Sequence, residues 1–175
     1  MQVEVCVQSQ RNQSSANELT SQHLALADIS PQIWQNWFTT WLESLQPHIP
    51  SAPSYEVGVV LGDDDAIQVL NSNYRHQNKP TDVLAFAALE TECPQSEDML
   101  NSMPLYLGDI IISVDTAQTQ AQQQKHSLLT ELAWLATHGL LHLLGWDHPD
   151  EDTLQLMCRQ QVILLKKIGI TIDFH

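Results

Sequence analysis

Apolar and polar positions alternate from the first residues: Val3, Val5 and Val7 against Glu4, Cys6 and Gln8, the period of a half-buried strand. Residues 9–23 are polar without a period and read as a loop. After Ser30, a helix cap, and Pro31, suited to a first helical position, the pattern changes to three and four. Ile33, Trp34, Trp37, Phe38, Trp41, Leu42 and Leu45 fall on one helix face. That stripe runs the whole helix, so its tryptophans read as packing residues and not as a binding platform. Tyr55–Leu61 is the next strand, and Asp63, Asp64 and Asp65 open a helix from about Ala66 to Arg75. Acids at a helix start favour its dipole, a better reading of this triplet than a metal site.

A short strand follows over residues 82–86, and Pro80 before it places it at a sheet edge. Residues 90–104, with acids, prolines and serine, read as a surface loop. Leu105–Val114 is the strongest strand in the chain. Gly108 inside it marks a bulge or a close backbone approach, with Asp109 turned toward something polar. Helices then run from Thr116 to about Gln124, from Leu128 behind Ser127 as cap, and from Pro149–Asp150 to Gly169. The last carries Leu154, Met157, Cys158, Val162, Leu165 and Ile168 inward. The order β α β α β β α α α predicts an α/β (α+β) fold, one domain over residues 1–175. It should hold a mixed four-stranded sheet and about five helices. Leu128–Leu144 is apolar all round, so this helix should be central, its C-terminal end flooring a cleft.

Composition narrows the function. With 175 residues, 43% hydrophobic and 16% charged, the chain is globular. It has no run of about eighteen apolar residues and no basic-then-apolar leader, which predicts a cytoplasmic protein. Cys6, Cys93 and Cys158 form no C-x-x-C pair and read as buried or idle thiols in a reducing compartment. A net charge of −14 opposes non-specific nucleic-acid binding. Two windows nevertheless lack acids: one holds Arg75, His76 and Lys79, the other Lys125 and His126. They line an anion site or are ordinary loop charges, and composition does not choose.

The densest chemistry is T-H-G-L-L-H-L-L-G-W-D-H at 137–148. His138 and His142, four apart on a helix, project from one face toward a common point. Gly145 supplies the left-handed residue of a helix end and lets His148 swing back toward them. Three neutral imidazoles with an open fourth position describe a catalytic zinc site. The spacing equals that of the H-E-x-x-H-x-x-G-x-x-H metalloproteases, but Gly139 stands where those enzymes carry the glutamate base. A peptidase reading is weakened while the metal stays.

H-G-L-L-H-L-L-G-W-D-H resembles the signature of the YbeY proteins, bacterial metal-dependent endoribonucleases that mature ribosomal RNA. L-N-S-N-Y-R-H-Q-N-K-P-T-D-V-L-A-F at 70–86 and L-G-D-I-I-I at 107–112 are similar to two further blocks of that family. The likeness runs from about Val57 to Gly169 and includes Glu131, where the family carries a glutamate. The resemblance implies one zinc held by His138, His142 and His148, and Arg75 as the cationic catalytic residue facing the scissile phosphate. It also implies a precursor ribosomal RNA as substrate, with the ribosome or its associated proteins as partners. Ala85, Ala87 and Gln161 depart from the family pattern, and none is expected to touch a ligand.

These parts suit phosphodiester hydrolysis: a zinc polarises an oxygen and lowers the pKa of bound water, and a guanidinium clamps the remaining oxygens. The base stays open among Glu131, Asp109, Asp147 and hydroxide on the metal; Glu131 or Asp147 would alternatively orient an imidazole. The rivals are a zinc peptidase or other metallohydrolase, and a non-catalytic, zinc-ordered module that binds ribosomal partners.

Overall fold

A computed structural model of the chain describes residues 2–10, 29–46, 49–75, 81–88 and 103–172. In chain order the elements are β1 (Val3–Gln10), α1 (Pro31–Leu45), β2 (Tyr55–Gly62), α2 (Asp64–Arg75), β3 (Val83–Ala87) and β4 (Leu105–Ser113). They end with α3 (Val114–Gln124), α4 (Leu128–Leu143) and α5 (Glu151–Lys167). The fold is the expected mixed four-stranded sheet with five helices. Strand order is β1-β2-β4-β3, with β1, β2 and β4 parallel and β3 antiparallel on the edge that Pro80 predicted.

Most apolar side chains gather on one face of this sheet. Trp34, Trp37, Phe38, Trp41 and Leu42 of α1 pack there with Val57, Val59, Ile110 and Ile112, the leucines of α4, and Met157, Leu164 and Leu165 of α5. The tryptophans are therefore core, as their periodicity implied, and Trp41 Nε1 donates to the Leu164 carbonyl at 3.0 Å, tying α1 to α5. Ile33, counted in the stripe, is 40% exposed because it lies in the first turn, ahead of the buried stretch. A smaller cluster of Ile67, Leu84 and Ile111 holds α2 against the opposite face.

Local chemistry explains the boundaries. Ser30 Oγ accepts from Ile33 N and caps α1. Asp63 caps α2 through Ala66 N at 2.7 Å, while Asp64 accepts the hydroxyls of Ser113 and Thr116. The aspartate triplet is thus helix-start chemistry. Strand β1 runs two residues into the stretch read as loop, since Ser9 and Gln10 still pair with Leu61 and Gly62. The remainder of that stretch, most of the 90–104 loop and Cys93 lie outside the described residues. Of the other two thiols, both free, Cys158 is buried, whereas Cys6 is exposed because it points to the face that α1 and α4 leave uncovered.

Gly108 is where a bulge was expected. The pairing of β2 with β4 skips Leu107, so that Glu56 faces Tyr106 and Val57 faces Gly108. Gly108 has φ +136°, and a Cβ there would lie 2.2 Å from the Phe86 carbonyl and 2.8 Å from Leu143 Cδ2. The missing side chain lets α4 and β3 close on β4. No described helix is long and apolar enough to cross a membrane.

Candidate metal centre

Helix α4 starts at Ser127, whose Oγ accepts from Thr130 N at 3.1 Å. Its sheet-facing side is set by Gly139, where a Cβ would meet Ile110 Cγ2 at 2.6 Å. The position that carries a glutamate in the peptidase motif is therefore pressed against β4, with no room for a carboxylate. His138 and His142 lie on another face of the helix and are half-buried. Gly145, at φ +97°, ends α4 in a Schellman turn: Trp146 N donates to Leu141 O and Gly145 N to His142 O. Asp147 Oδ1 then accepts from His148 N at 2.8 Å, holding the turn that returns the third imidazole.

The three rings converge as the spacing implied. Ring centroids are 4.6 Å apart for His138–His142, 5.3 Å for His138–His148 and 5.2 Å for His142–His148. One ligand atom from each lies within 4.8 Å of the others. His138 Nε2 and His142 Nε2 are 3.1 Å apart. Two nitrogens bound tetrahedrally to zinc at their usual bond length would be about 3.3 Å apart, so this pair already has the bite of a zinc site. The remaining slack falls to His148, the ligand carried on a turn. Burial lowers the pKa of His138, which favours the neutral, ligating imidazole; the Gln161 hydrogen bond and the charge of Asp82 oppose the shift, while His148 adds to it.

Arg75 closes α2, and its side chain lies outside what the structure describes, as do His76 and Lys79. Asp109 pairs with Phe86 on β3 and lines a cavity of about 420 Å³ with Glu4, Cys6 and Tyr106. Side chains alternate along a strand, so Asp109 faces away from Gly108 and Ile110, which meet α4. It has the polar neighbour expected of it: the Tyr106 hydroxyl, whose pKa burial and this carboxylate push up. It is on the wrong face to serve the histidines.

Glu131 is buried and bonded to His126 Nε2 at 2.5 Å, so it orients that ring and not a ligand. Desolvation raises its pKa, against the opposing pull of His126. The same bond gives His126, in the second acid-free window, a carboxylate partner from α4. Asp147 lies in the ligand-bearing turn, next in the chain to His148, whose N–H its carboxylate accepts.

Two residues were missed. Gln161 of α5, fully buried, places Oε1 3.2 Å from His138 Nδ1 and donates Nε2–H to the Trp134 carbonyl at 3.0 Å. The expectation that this position avoids the ligands was wrong, because α5 crosses α4 at that level. Asp82 is the other. Held by Val83 N and Gln120 Nε2, it projects its charge on both His138 and Glu131. As the one acid in the otherwise acid-free 70–86 block, it offered a compositional signal.

The comparisons with known proteins concern the chain as a whole. The family model described as Endoribonuclease YbeY matches residues 18–169. An Endoribonuclease YbeY of Nostoc sp. is 61% identical over 149 residues, covering 85% of this chain and 80% of the relative. That of Trichormus variabilis is 54% identical over 175 residues, covering 100% and 99%. A solution structure of a Thermotoga maritima protein shares the fold at TM-score 0.50 and 20% identity, covering 94% of this chain and 91% of that one. Motif, fold and relatives together place the chain in the YbeY endoribonuclease family.

Proposed function

We propose that the chain is a zinc-dependent, single-strand endoribonuclease that acts in the cytoplasm on precursor ribosomal RNA, in ribosome maturation and quality control. The observation that carries the reading is the convergence of His138, His142 and His148, two of them already at the separation a tetrahedral ion requires. A zinc bound there supplies Lewis-acid polarisation of a phosphoryl oxygen and a water whose pKa falls toward about 7. The residues do the rest. Nε2 of His138 and of His142 and a ring nitrogen of His148 hold the ion. The Arg75 guanidinium clamps the phosphate oxygens in a planar fork. Of the three carboxylates weighed for the base, Asp147 is next to a ligand in the chain and would receive the proton, since Asp109 lies on the far side of the sheet and Glu131 is bonded to His126.

Gly139 argues against a peptidase, since the base such an enzyme needs would have to occupy space held by Ile110. The test is metal removal. A chelator-stripped protein should stop cutting single-stranded RNA and recover with about one equivalent of zinc. Undiminished cleavage by a demetallated protein would overturn the reading.

A further inference from the structure

We propose that Gln161 is a positioning residue that fixes His138 as the Nδ1–H tautomer and so commits Nε2 to the ion. This rests on the metal reading above and deepens it. The argument starts at the Trp134 carbonyl, which can only accept. Gln161 must therefore turn its NH₂ toward that oxygen, 3.0 Å away. Its own carbonyl is then the atom 3.2 Å from His138 Nδ1, and that nitrogen must donate. A neutral imidazole has one donor and one acceptor, so Nε2 keeps its lone pair. This lone pair faces His142 Nε2 at 3.1 Å.

Burial and helix docking hold this chain of hydrogen bonds in place. Gln161 is fully buried, so water cannot replace either partner or let the amide flip. Trp134 lies one helical turn before His138 on α4, so carbonyl and imidazole move as one body. Gln161 comes from α5, whose register is set by the Asp150–Thr153 capping box and by Leu164 and Leu165 in the core. Docking α5 thus selects the ligand atom before any ion arrives. An amide does this without adding a negative charge beside the centre, as a carboxylate would.

The test compares wild type with Gln161→Met, which keeps bulk but cannot accept from Nδ1, and Gln161→Glu, which can. Long-range ¹H–¹⁵N spectra of the metal-free proteins read the His138 tautomer, and competition with a chelating dye reads zinc affinity. Wild type and Gln161→Glu should show the Nδ1–H tautomer. Gln161→Met should show a mixture and bind zinc about 10–100-fold more weakly. The proposal is overturned if wild-type His138 is the Nε2–H tautomer, a readout that needs no variant to fold. It is also overturned if Gln161→Met changes melting temperature while leaving tautomer and affinity alone, or if Gln161→Glu fails like Gln161→Met. The tautomer needs no metal, so a wild type that never binds zinc would sink the metal reading while leaving this assignment to its own spectrum.

Discussion

Single residues decide whether this centre can form. At Gly108 a methyl group would meet both the Phe86 carbonyl and Leu143, at a φ that side chains rarely adopt. Gly108→Ala should lose at least ~2 kcal/mol of stability, from left-handed strain and overpacking of ~1–3 kcal/mol each. Urea denaturation checks this, and an unchanged midpoint would contradict it. His138 is held toward the neutral form by burial, so its folded pKa lies below the unfolded one. Protonation is then costlier in the folded protein, and this cost appears as pH falls through the ordinary histidine range. Zinc should stay bound at neutral pH and leave on acidification below that range, as dye-monitored release would show. Release already on the alkaline side would contradict it. The histidines and Gly145 were legible in sequence because their relation is local, within one helix and its end. Gln161 was not, since it meets His138 from 23 residues away through a helix crossing that no spacing reports.

Elements were legible wherever periodicity and caps agreed. Ser30, Ser127 and Asp150 all cap the helices they preceded in the sequence. The edge position of β3 and the bulge at Gly108 followed from one proline and one glycine. Boundaries failed where pairing overrode composition, as at Ser9 and Gln10. In α5 the periodic apolar positions missed Gln161, a polar residue buried because it has partners on α4. Asp150 accepts from Thr153 N at 2.8 Å, and these hydrogen bonds lower its pKa. Its capping contribution is present above the ordinary carboxylate range and disappears as pH falls through the depressed value. Asp150→Ala should therefore lower the melting temperature at pH 7 and matter less in strong acid; an equal loss at both would contradict the cap. Across helices, Trp41→Phe leaves the Leu164 carbonyl without its indole donor. A loss of about 1–3 kcal/mol is expected by chemical denaturation.

At the scale of the whole molecule, charge and site pull in opposite directions. A net charge of −14 repels a polyanion, while the proposed reaction needs one to approach the histidines. Binding to naked RNA should be weak and fall steeply with salt, with a ribosomal or protein partner supplying affinity. Nanomolar binding at high salt in a filter or anisotropy assay would contradict this. Fold class was legible because strand-period and helix-period stretches follow one another in the order β α β α β β α α α. Which face each site residue takes was not, and it separates Asp109 from the histidines despite their common motif-rich region.

The most direct measurement is zinc content together with single-stranded RNA cleavage for wild type, His142→Ala and Arg75→Ala. Wild type should hold about one zinc and cut; His142→Ala should lose the ion and the activity; Arg75→Ala should keep the ion and stop cutting. A gently purified, zinc-reconstituted wild type that holds no metal, or an Arg75→Ala protein that cuts at the wild-type rate, would contradict the assigned roles.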